Sequence, residues 1–197
     1  MERIEIPPEE AVSGLPARLP TYGNQIPEEK NIARARMKII IKFLAPVSAF
    51  MNELYKEVPS KSFGMNKVFD VNCREAVIGE YRKFKIDYSK LMLSRGKLAI
   101  PPGLSVSSPE HEFLVFRWTD DSGIGNAQAY DQAFLVVYNK ESKCWAVQLN
   151  AAIRKDRRYI MNVDEFSGKL VHVYIGFVSL DLARTSDSVY MGEVRVL

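Results

Sequence analysis

The segment "RWTDDSGIGNAQAYDQAFLVVYN", residues 117–139, carries two adjacent carboxylates next to a Gly-x-Gly. Carboxylate oxygens such as those of Asp120, Asp121 and Asp131 are ligands that calcium prefers, and a glycine-rich loop can let backbone N–H groups approach a phosphate. The segment therefore raises two chemical hypotheses, a metal site and a phosphate site. A third interpretation is that it only turns the chain between two strands.

Neither chemical hypothesis matches the spacing that its chemistry needs. An EF-hand loop places oxygen ligands at alternate positions, but the fifth position counted from Asp120 is Ile124, and the third counted from Asp121 is Gly123. A dinucleotide-binding loop needs a third glycine where Gln128 stands, and it opens a helix rather than a strand. We therefore interpret the segment as a turn-rich connection. A calcium site of another geometry on the three aspartates stays as the alternative.

Other residue types that perform catalysis do not cluster along the chain. His111 opens a predicted strand, and His172 alternates within "LVHVYIGF", a pattern that favours a structural role on a sheet face. The GxSxG, HExxH and GxxxxGK(S/T) motifs are all missing from the sequence. Adjacent Asp164 and Glu165 would point to opposite faces of an extended chain. The sequence therefore predicts no catalytic residue, no bound metal and no cofactor.

The densest charge run, "RKDRR", lies between two predicted strands and contains Arg154, Lys155, Arg157 and Arg158. Such a run could contact a phosphate or a nucleic acid. Asp156 interrupts it, however, and no aromatic residues alternate with the basic ones to stack on bases. The net charge of +3 is too small to indicate a nucleic-acid partner by itself. We interpret the run as an exposed turn and expect a protein, rather than a nucleic acid, as the partner.

The composition is that of a soluble globular protein, with 47% apolar and 26% charged residues in a chain of 197. A chain of this length can bury a core without disulfides or metals. Cys73 and Cys144 form no CxxC motif and are interpreted as small apolar side chains, with a disulfide between them as the alternative. The beginning of the chain does not resemble a signal peptide, and no apolar run is long enough for a bilayer. We expect a soluble protein without membrane insertion, cytoplasmic by default.

Three segments differ in periodicity. Residues 1–27 contain five of the ten prolines and predict a Pro-rich extended arm. Helical spacing of apolar residues dominates 28–80 and predicts a helical layer. Near Tyr81 the period becomes two, and short alternating runs with turn residues between them continue over 84–197. The predicted fold is α+β, an N-terminal helical hairpin packed on an antiparallel β-sandwich of the immunoglobulin or fibronectin type III kind.

Two helices are expected within the helical layer. Pro27 suits the first position of a helix, and Pro46 should kink or divide that helix near Leu44–Ala45. The segment "GMNKVFDVNCREAVIGEY" predicts a second helix with Gly79 as its C-terminal stop. The short connection "EVPSKSFG" predicts that the two helices run antiparallel.

Four ordered segments carry a resemblance to a known family: "PEEKNIARARMKIIIKFLAPVSAFMNELY", "AVIGEYRKFKIDYSKLMLSRGKL", "FRWTDDSGIGNAQAYDQAFLVVYN" and "FSGKLVHVYIGFVSLDLARTSDSVYMGEV". They resemble a Bacteroidales family of uncharacterised proteins, a domain of unknown function with WTDNSGxGNA, IDYSK and SNSVYLGEV motifs. The resemblance covers residues 14–197. The chain departs from the family where Ile26 replaces a threonine and where "MERIEIPPEE" replaces a glycine-rich start. The resemblance implies a helical-plus-β layout and carries no activity.

Without a nucleophile–base pair, a metal set or a phosphate loop, a non-enzymatic interaction or structural module is the favoured function. The predicted helix begins with a proline and two acidic residues, Pro27, Glu28 and Glu29. This start is similar to segments of phage structural proteins, which suggests a phage- or mobile-element-derived role. One alternative is a carbohydrate-binding module that uses Trp118, Trp145 or tyrosines as stacking platforms. Another is a hydrolase with carboxylates in a cleft between the helices and the sandwich.

Overall fold

The computed structural model describes residues 2–4, 27–54 and 65–197. The predicted Pro-rich arm is therefore described only at Glu2–Ile4, a strand termed β1, and at Pro27. The remainder of the arm and the connection between the predicted helices, residues 55–64, lie outside the described residues. The described chain is α+β, with a helical region between β1 and the other antiparallel strands.

The first helical segment has the division that its proline predicts. Helix α1 spans Pro27–Leu44, a 3-10 turn covers Ala45–Val47, and helix α2 spans Ser48–Leu54. Pro46 lies in the 3-10 turn, because a proline has no N–H for the α-helical ladder and its ring clashes with the preceding turn. The prediction of a break near Leu44–Ala45 is confirmed.

The next helix is shorter than its sequence pattern predicts. Helix α3 spans Met65–Glu75, and the chain then forms strand β2 at Val77–Ile78 and strand β3 at Lys85–Ile86, which pair antiparallel. Gly79, predicted as a helix stop, follows β2 in the turn of this hairpin with a φ of 95°. Its Cβ would lie 2.9 Å from the Lys83 carbonyl oxygen, so the turn needs a glycine.

Seven further strands complete the fold. They are β4 (Ser105–Ser107), β5 (Phe113–Arg117), β6 (Gln132–Asn139), β7 (Cys144–Gln148), β8 (Arg158–Asn162), β9 (Leu170–Val178) and β10 (Val189–Arg195). One sheet has the order β1-β7-β6-β9-β10, and another has the order β4-β5-β8. Every strand pair in both sheets is antiparallel.

The five-stranded sheet has a separate core on each face. Along β6, Phe134, Val136 and Tyr138 join the core that contains the helices. Leu135 and Val137 join the core shared with the three-stranded sheet. Because both faces of β6 are covered, its sequence "QAFLVVYN" is almost continuously apolar rather than alternating. The described elements therefore form three layers, helices, five-stranded sheet and three-stranded sheet.

The two cysteines lie in different cores. Cys73 lies on α3 and is buried in the core between the helices and the five-stranded sheet. Cys144 is half-buried against the core between the two sheets. Both cysteines are free thiols, which agrees with their interpretation as small apolar side chains. The alternative of a disulfide between them is wrong. Among the described helices, none is both long enough and apolar enough to cross a membrane.

Candidate functional site

The guanidinium of Arg154, from a later part of the chain, contacts two carboxylates of the segment 117–139. Its Nη1 donates to Asp121 Oδ1 at 2.6 Å, and its Nε donates to Asp131 Oδ2 at 3.1 Å. The Arg154 side chain is 0% exposed, and those of Asp121 and Asp131 are 10% and 1% exposed. We call these three residues the Arg154 anchor.

The Arg154 anchor joins three loops and the core. Nη2 of Arg154 donates to the Ala99 carbonyl at 2.8 Å, which ties the loop before β4 to the same guanidinium. The Trp118 indole donates to the Arg154 carbonyl at 2.7 Å, and the guanidinium lies 4.8 Å from the centroid of the Phe177 ring. A planar guanidinium with several donors suits such a junction, because one rigid group satisfies acceptors from separate segments.

Local backbone structure places Arg154 inward. The 3-10 turn Arg154–Asp156 begins where the Ile153 N–H donates to Asp156 Oδ2 at 3.0 Å, and it ends at Arg157 in the left-handed conformation, with a φ of 60°. The Arg154 N–H also donates to the Asp131 carbonyl at 2.7 Å. Backbone and side chain of Arg154 are therefore both bound to Asp131.

Asp120 has a different role from Asp121, although the two are adjacent. Its carboxylate accepts from the Ser122 N–H at 3.0 Å and from the Ser122 hydroxyl, and the hydroxyl contact is the main cause that holds the pKa of Asp120 below its usual value. Its closest cation, the exposed Arg157 guanidinium, is 3.9 Å away. The three aspartates of the alternative calcium site therefore divide between a turn cap and a buried ion pair. Within the described part of the chain, no three acidic, histidine or cysteine side chains group as metal ligands.

The basic run divides in the same way. Lys155 and Arg157 are exposed in the turn and Arg158 is exposed at the start of β8, whereas Arg154 is buried and does not contribute to a surface patch. Sequence reasoning missed this difference because a charge run gives no sign of which member turns inward. The partners also lie far away in sequence, 33 residues for Asp121 and 23 for Asp131.

Two loops beside the Arg154 anchor enclose a cleft of about 350 Å³ that is open to solvent. Residues 128–131 form one wall and residues 179–184 the other. Tyr130 and Leu180 line it with side chains that are 55% and 64% exposed, and Asp131 lines it from the anchor. The cleft therefore has an aromatic and an aliphatic side chain at its rim and adjoins the Arg154 anchor at Asp131.

A second group of polar side chains, some buried and some half-buried, packs against the core that contains the helices. Tyr88, Tyr138, His172, Tyr174 and Tyr190 form what we call the aromatic cluster, in which the Tyr88 and His172 ring centroids lie 4.1 Å apart. The Tyr174 hydroxyl donates to the Tyr88 carbonyl at 2.8 Å, and His172 Nδ1 lies 2.9 Å from the Tyr190 hydroxyl. Burial lowers the pKa of His172, against the opposing effect of Glu193. The predicted structural position of His172 on a sheet face agrees with this packing.

The two tryptophans named for the carbohydrate alternative, and the buried carboxylates, lie in the interior of the described chain. Trp118 is 4% exposed and Trp145 is 0% exposed, so neither ring is available as a stacking platform. Among the described residues, the buried carboxylates are Asp121 and Asp131. Both belong to the Arg154 anchor, which packs on Phe177 in the core between the sheets, away from the helices.

The loop that carries Asp120 to Asp131 and the strands that position it all fall within one family match. The model of a family of unknown function (DUF6266) matches residues 17–192, which include the Arg154 anchor, the cleft and the aromatic cluster. The chain matches no curated protein. Since the match covers most of the chain, the protein belongs to this family of unknown function, DUF6266.

Proposed function

We propose that this protein is a non-enzymatic interaction module that binds other protein chains by pairing an extended segment of the partner with β7 in place of its own β1. The supporting observation is the pairing of β1 with β7, in which Glu2 faces Val147, Arg3 faces Ala146 and Ile4 faces Trp145. Three residues from a distant part of the chain thus add the fifth strand to the sheet of β7, β6, β9 and β10. Backbone pairing of this kind accepts many side chains, so the edge suits other extended segments.

The β7 edge has a physical need for a partner. Trp145, Ala146 and Val147 are buried, and without β1 the N–H and C=O groups of β7 that face away from β6 would form an apolar, unpaired edge. Unpaired edges of this kind bind further strands readily. At the opposite side of the sheet, β10 is the other edge strand and has a register shift between Tyr190 and Gly192.

The chemistry at the carboxylates also favours binding over turnover. A general acid or base must exchange protons with a substrate, but Asp121 and Asp131 each accept from the buried guanidinium of Arg154. The proposal assumes an open sandwich of the immunoglobulin or fibronectin type III kind, with a helical hairpin on its outer face and a protein as the partner. We also propose that the protein derives from a phage or a mobile element within Bacteroidales. The genes adjacent to its coding sequence would test that origin.

The test removes β1, so that the outer edge of β7 is left unpaired. A chain without residues 1–4 is mixed with a fluorescent peptide of residues 1–8, "MERIEIPP", and binding is followed by anisotropy. We expect saturable binding to the shortened chain and much weaker binding to the full chain, whose edge is already paired. A matched peptide with Ile4→Pro has one N–H fewer and should not bind.

The competing function has an equally direct test. The full chain is assayed against hydrolase substrates, with Asp131→Asn as the matched variant. Turnover that this substitution abolishes, or equal binding of the two peptides, would contradict the proposal.

A further inference from the structure

Helix α1 carries a row of cations along its exposed face. Lys30, Arg34, Lys38 and Lys42 follow one another at intervals of four residues, and all four are exposed. We call these four residues the α1 basic row. With a rise of about 1.5 Å per residue, the row is about 18 Å long and its members are about 6 Å apart along the helix axis. The row is therefore a line of positive charge on the surface of the helical layer.

The positive charge of the protein is concentrated on this helix. Residues 30–44 contain five basic and no acidic side chains, a charge of +5, whereas the whole chain carries +3. The rest of the chain is therefore slightly acidic, with a net charge of −2. The fifth cation, Arg36, is not part of the row, because its Nη1 donates to the Cys73 carbonyl at 3.5 Å and its guanidinium lies 5.1 Å from the centroid of the Phe84 ring. Such a local concentration of charge indicates an anionic partner.

The α1 basic row differs from an ordinary solvated helix face in its lack of compensating carboxylates. Within the described part of the chain, none of its four side chains forms an ion pair with a carboxylate. Like charges four residues apart destabilise a helix, and the row contains three such pairs. On α3, by contrast, Arg74 pairs with Asp70, four residues away, at 2.8 Å. The repulsion along α1 would be relieved by a bound anion.

The remaining side chains of α1 distinguish between classes of anionic partner. From residue 29 onward, its exposed side chains are all polar or charged: Glu29, Lys30, Asn31, Arg34, Lys38 and Lys42. A membrane-surface helix also inserts apolar side chains into the bilayer, but Met37, Ile40 and Leu44 are buried in the core. Single-stranded nucleic acids are bound with exposed aromatic rings, whereas Phe43 is half-buried among other rings. A duplex needs neither feature, because cations alone bind its phosphates.

We propose that the α1 basic row binds double-stranded nucleic acid through the phosphate backbone, without reading the base sequence. A DNA duplex carries one negative charge for about every 1.7 Å of its axis, so a row about 18 Å long meets several phosphates at any sequence. Carboxylates on a protein surface have no such regular repeat, which favours a nucleic acid over an acidic protein. This binding goes beyond strand addition at β7 and does not depend on it.

The experiment measures binding of the full chain to fluorescent DNA and RNA duplexes of unrelated sequences by anisotropy, at increasing NaCl concentration. Four phosphate contacts predict that the affinity for DNA falls about 150-fold between about 50 and 200 mM salt, because the slope of log K against log salt is about −3.6.

The double variant Lys38→Gln with Lys42→Gln tests the row itself. Glutamine is as good a helix former as lysine, and the two contacts that remain should reduce the fall with salt to about 12-fold. Lys140→Gln with Lys143→Gln is the matched control, because these two lysines are exposed in the β6–β7 turn and their loss changes the net charge equally. The control and the variant Lys38→Arg with Lys42→Arg should both keep the salt dependence of the original chain.

Three results would overturn the proposal. One is the lack of binding to either duplex at the lowest salt concentration, and another is the same salt dependence in the two glutamine double variants. A third is binding of phosphatidylserine vesicles or polyglutamate without binding of a duplex, which would assign the row to a membrane or to an acidic protein. Peptide addition at β7 should be equal in the Lys38→Gln, Lys42→Gln variant and the original chain, so failure of either proposal can be told from failure of the other.

Discussion

The protein places polar side chains in two of its interior regions and binds them there by different kinds of contact. The Arg154 anchor uses formal charges, with one guanidinium and two carboxylates between loops. The aromatic cluster uses neutral hydroxyl and imidazole groups between the helices and the sheet. Both regions contact β9, the first at Phe177 and the second at His172 and Tyr174.

The difference follows from what each region must hold together. The loops at the Arg154 anchor have little periodic hydrogen bonding of their own, so directional bonds from one rigid cation fix their relative positions. The helices cover the sheet with a large apolar area, and Tyr138 and Tyr174 add to that area while their hydroxyl groups stay neutral. Burial raises the pKa of both tyrosines, which keeps them uncharged.

The largest expected effect comes from removing the cation. Arg154→Met should lower the free energy of unfolding by about 3–5 kcal/mol, because two buried carboxylates lose their partner. Urea unfolding measures the change, and Arg157→Ala is the matched control, since Arg157 is 68% exposed and should change stability by less than about 0.5 kcal/mol. The triple variant with Asp121→Asn and Asp131→Asn should recover part of the loss. Equal stability of Arg154→Met and the original chain would show that charge does not hold these loops.

The next largest loss of stability is expected from crowding the core between the helices and the five-stranded sheet, where Gly176 contacts the Phe134 ring. A Cβ at Gly176 would lie 2.2 Å from Phe134 Cζ, so Gly176→Ala forces the ring to move. We expect a loss of about 1–3 kcal/mol, typical of overpacking a core. Adding Phe134→Leu should make the Gly176→Ala substitution less costly than it is alone, measured as a double-mutant cycle by urea unfolding. Additive losses would contradict this contact.

A smaller effect is expected from one neutral hydrogen bond in the aromatic cluster. Tyr174→Phe removes the donor to the Tyr88 carbonyl and should lower the unfolding free energy by about 1 kcal/mol. Tyr81→Phe, at an exposed ring, is the control. A loss as large as that of Arg154→Met would show that the two regions do not differ in the way proposed.

The smallest effect is a pH dependence from His172. Its pKa lies below the ordinary value of 6.5 because of burial, so the unfolded chain binds more protons between the two pKa values. Stability should therefore be fully present above pH 6.5 and should fall as pH drops through the folded-state pKa. The titratable groups that face or influence this imidazole are Tyr88, Tyr138, Tyr190, Glu193 and Lys140.

The variant His172→Gln tests that dependence. It should have a flatter stability profile between about pH 7 and pH 5 in urea unfolding, because glutamine does not titrate. His111→Gln serves as the control, since His111 is exposed. Identical stability profiles for the original chain, His172→Gln and His111→Gln would show that His172 is not the source of the pH dependence.

Local patterns predicted several elements correctly, and each has a local cause. Pro46 ended α1 where expected, because the missing N–H acts within one turn of the helix. Leu114, Phe116 and Trp118 share one core, as their alternation predicts. Strand β3 lies in the alternating run that begins near residue 84, whereas β2 and β4 were missed. Val77–Ile78 continues a helical pattern and forms a strand only by pairing with Lys85–Ile86.

The sequence by itself determined that a helical region gives way to short extended segments near Tyr81, and where Pro46 breaks a helix, since these depend on neighbouring residues. Only the tertiary structure decided that Arg154, in a run of similar cations, turns inward to Asp121 and Asp131. It also decided that Asp131 borders a cleft with Tyr130 and Leu180. The physical reason is that ion pairing and cleft formation depend on distance in space, and loops between strands bring together residues whose separation along the chain carries no periodic signal.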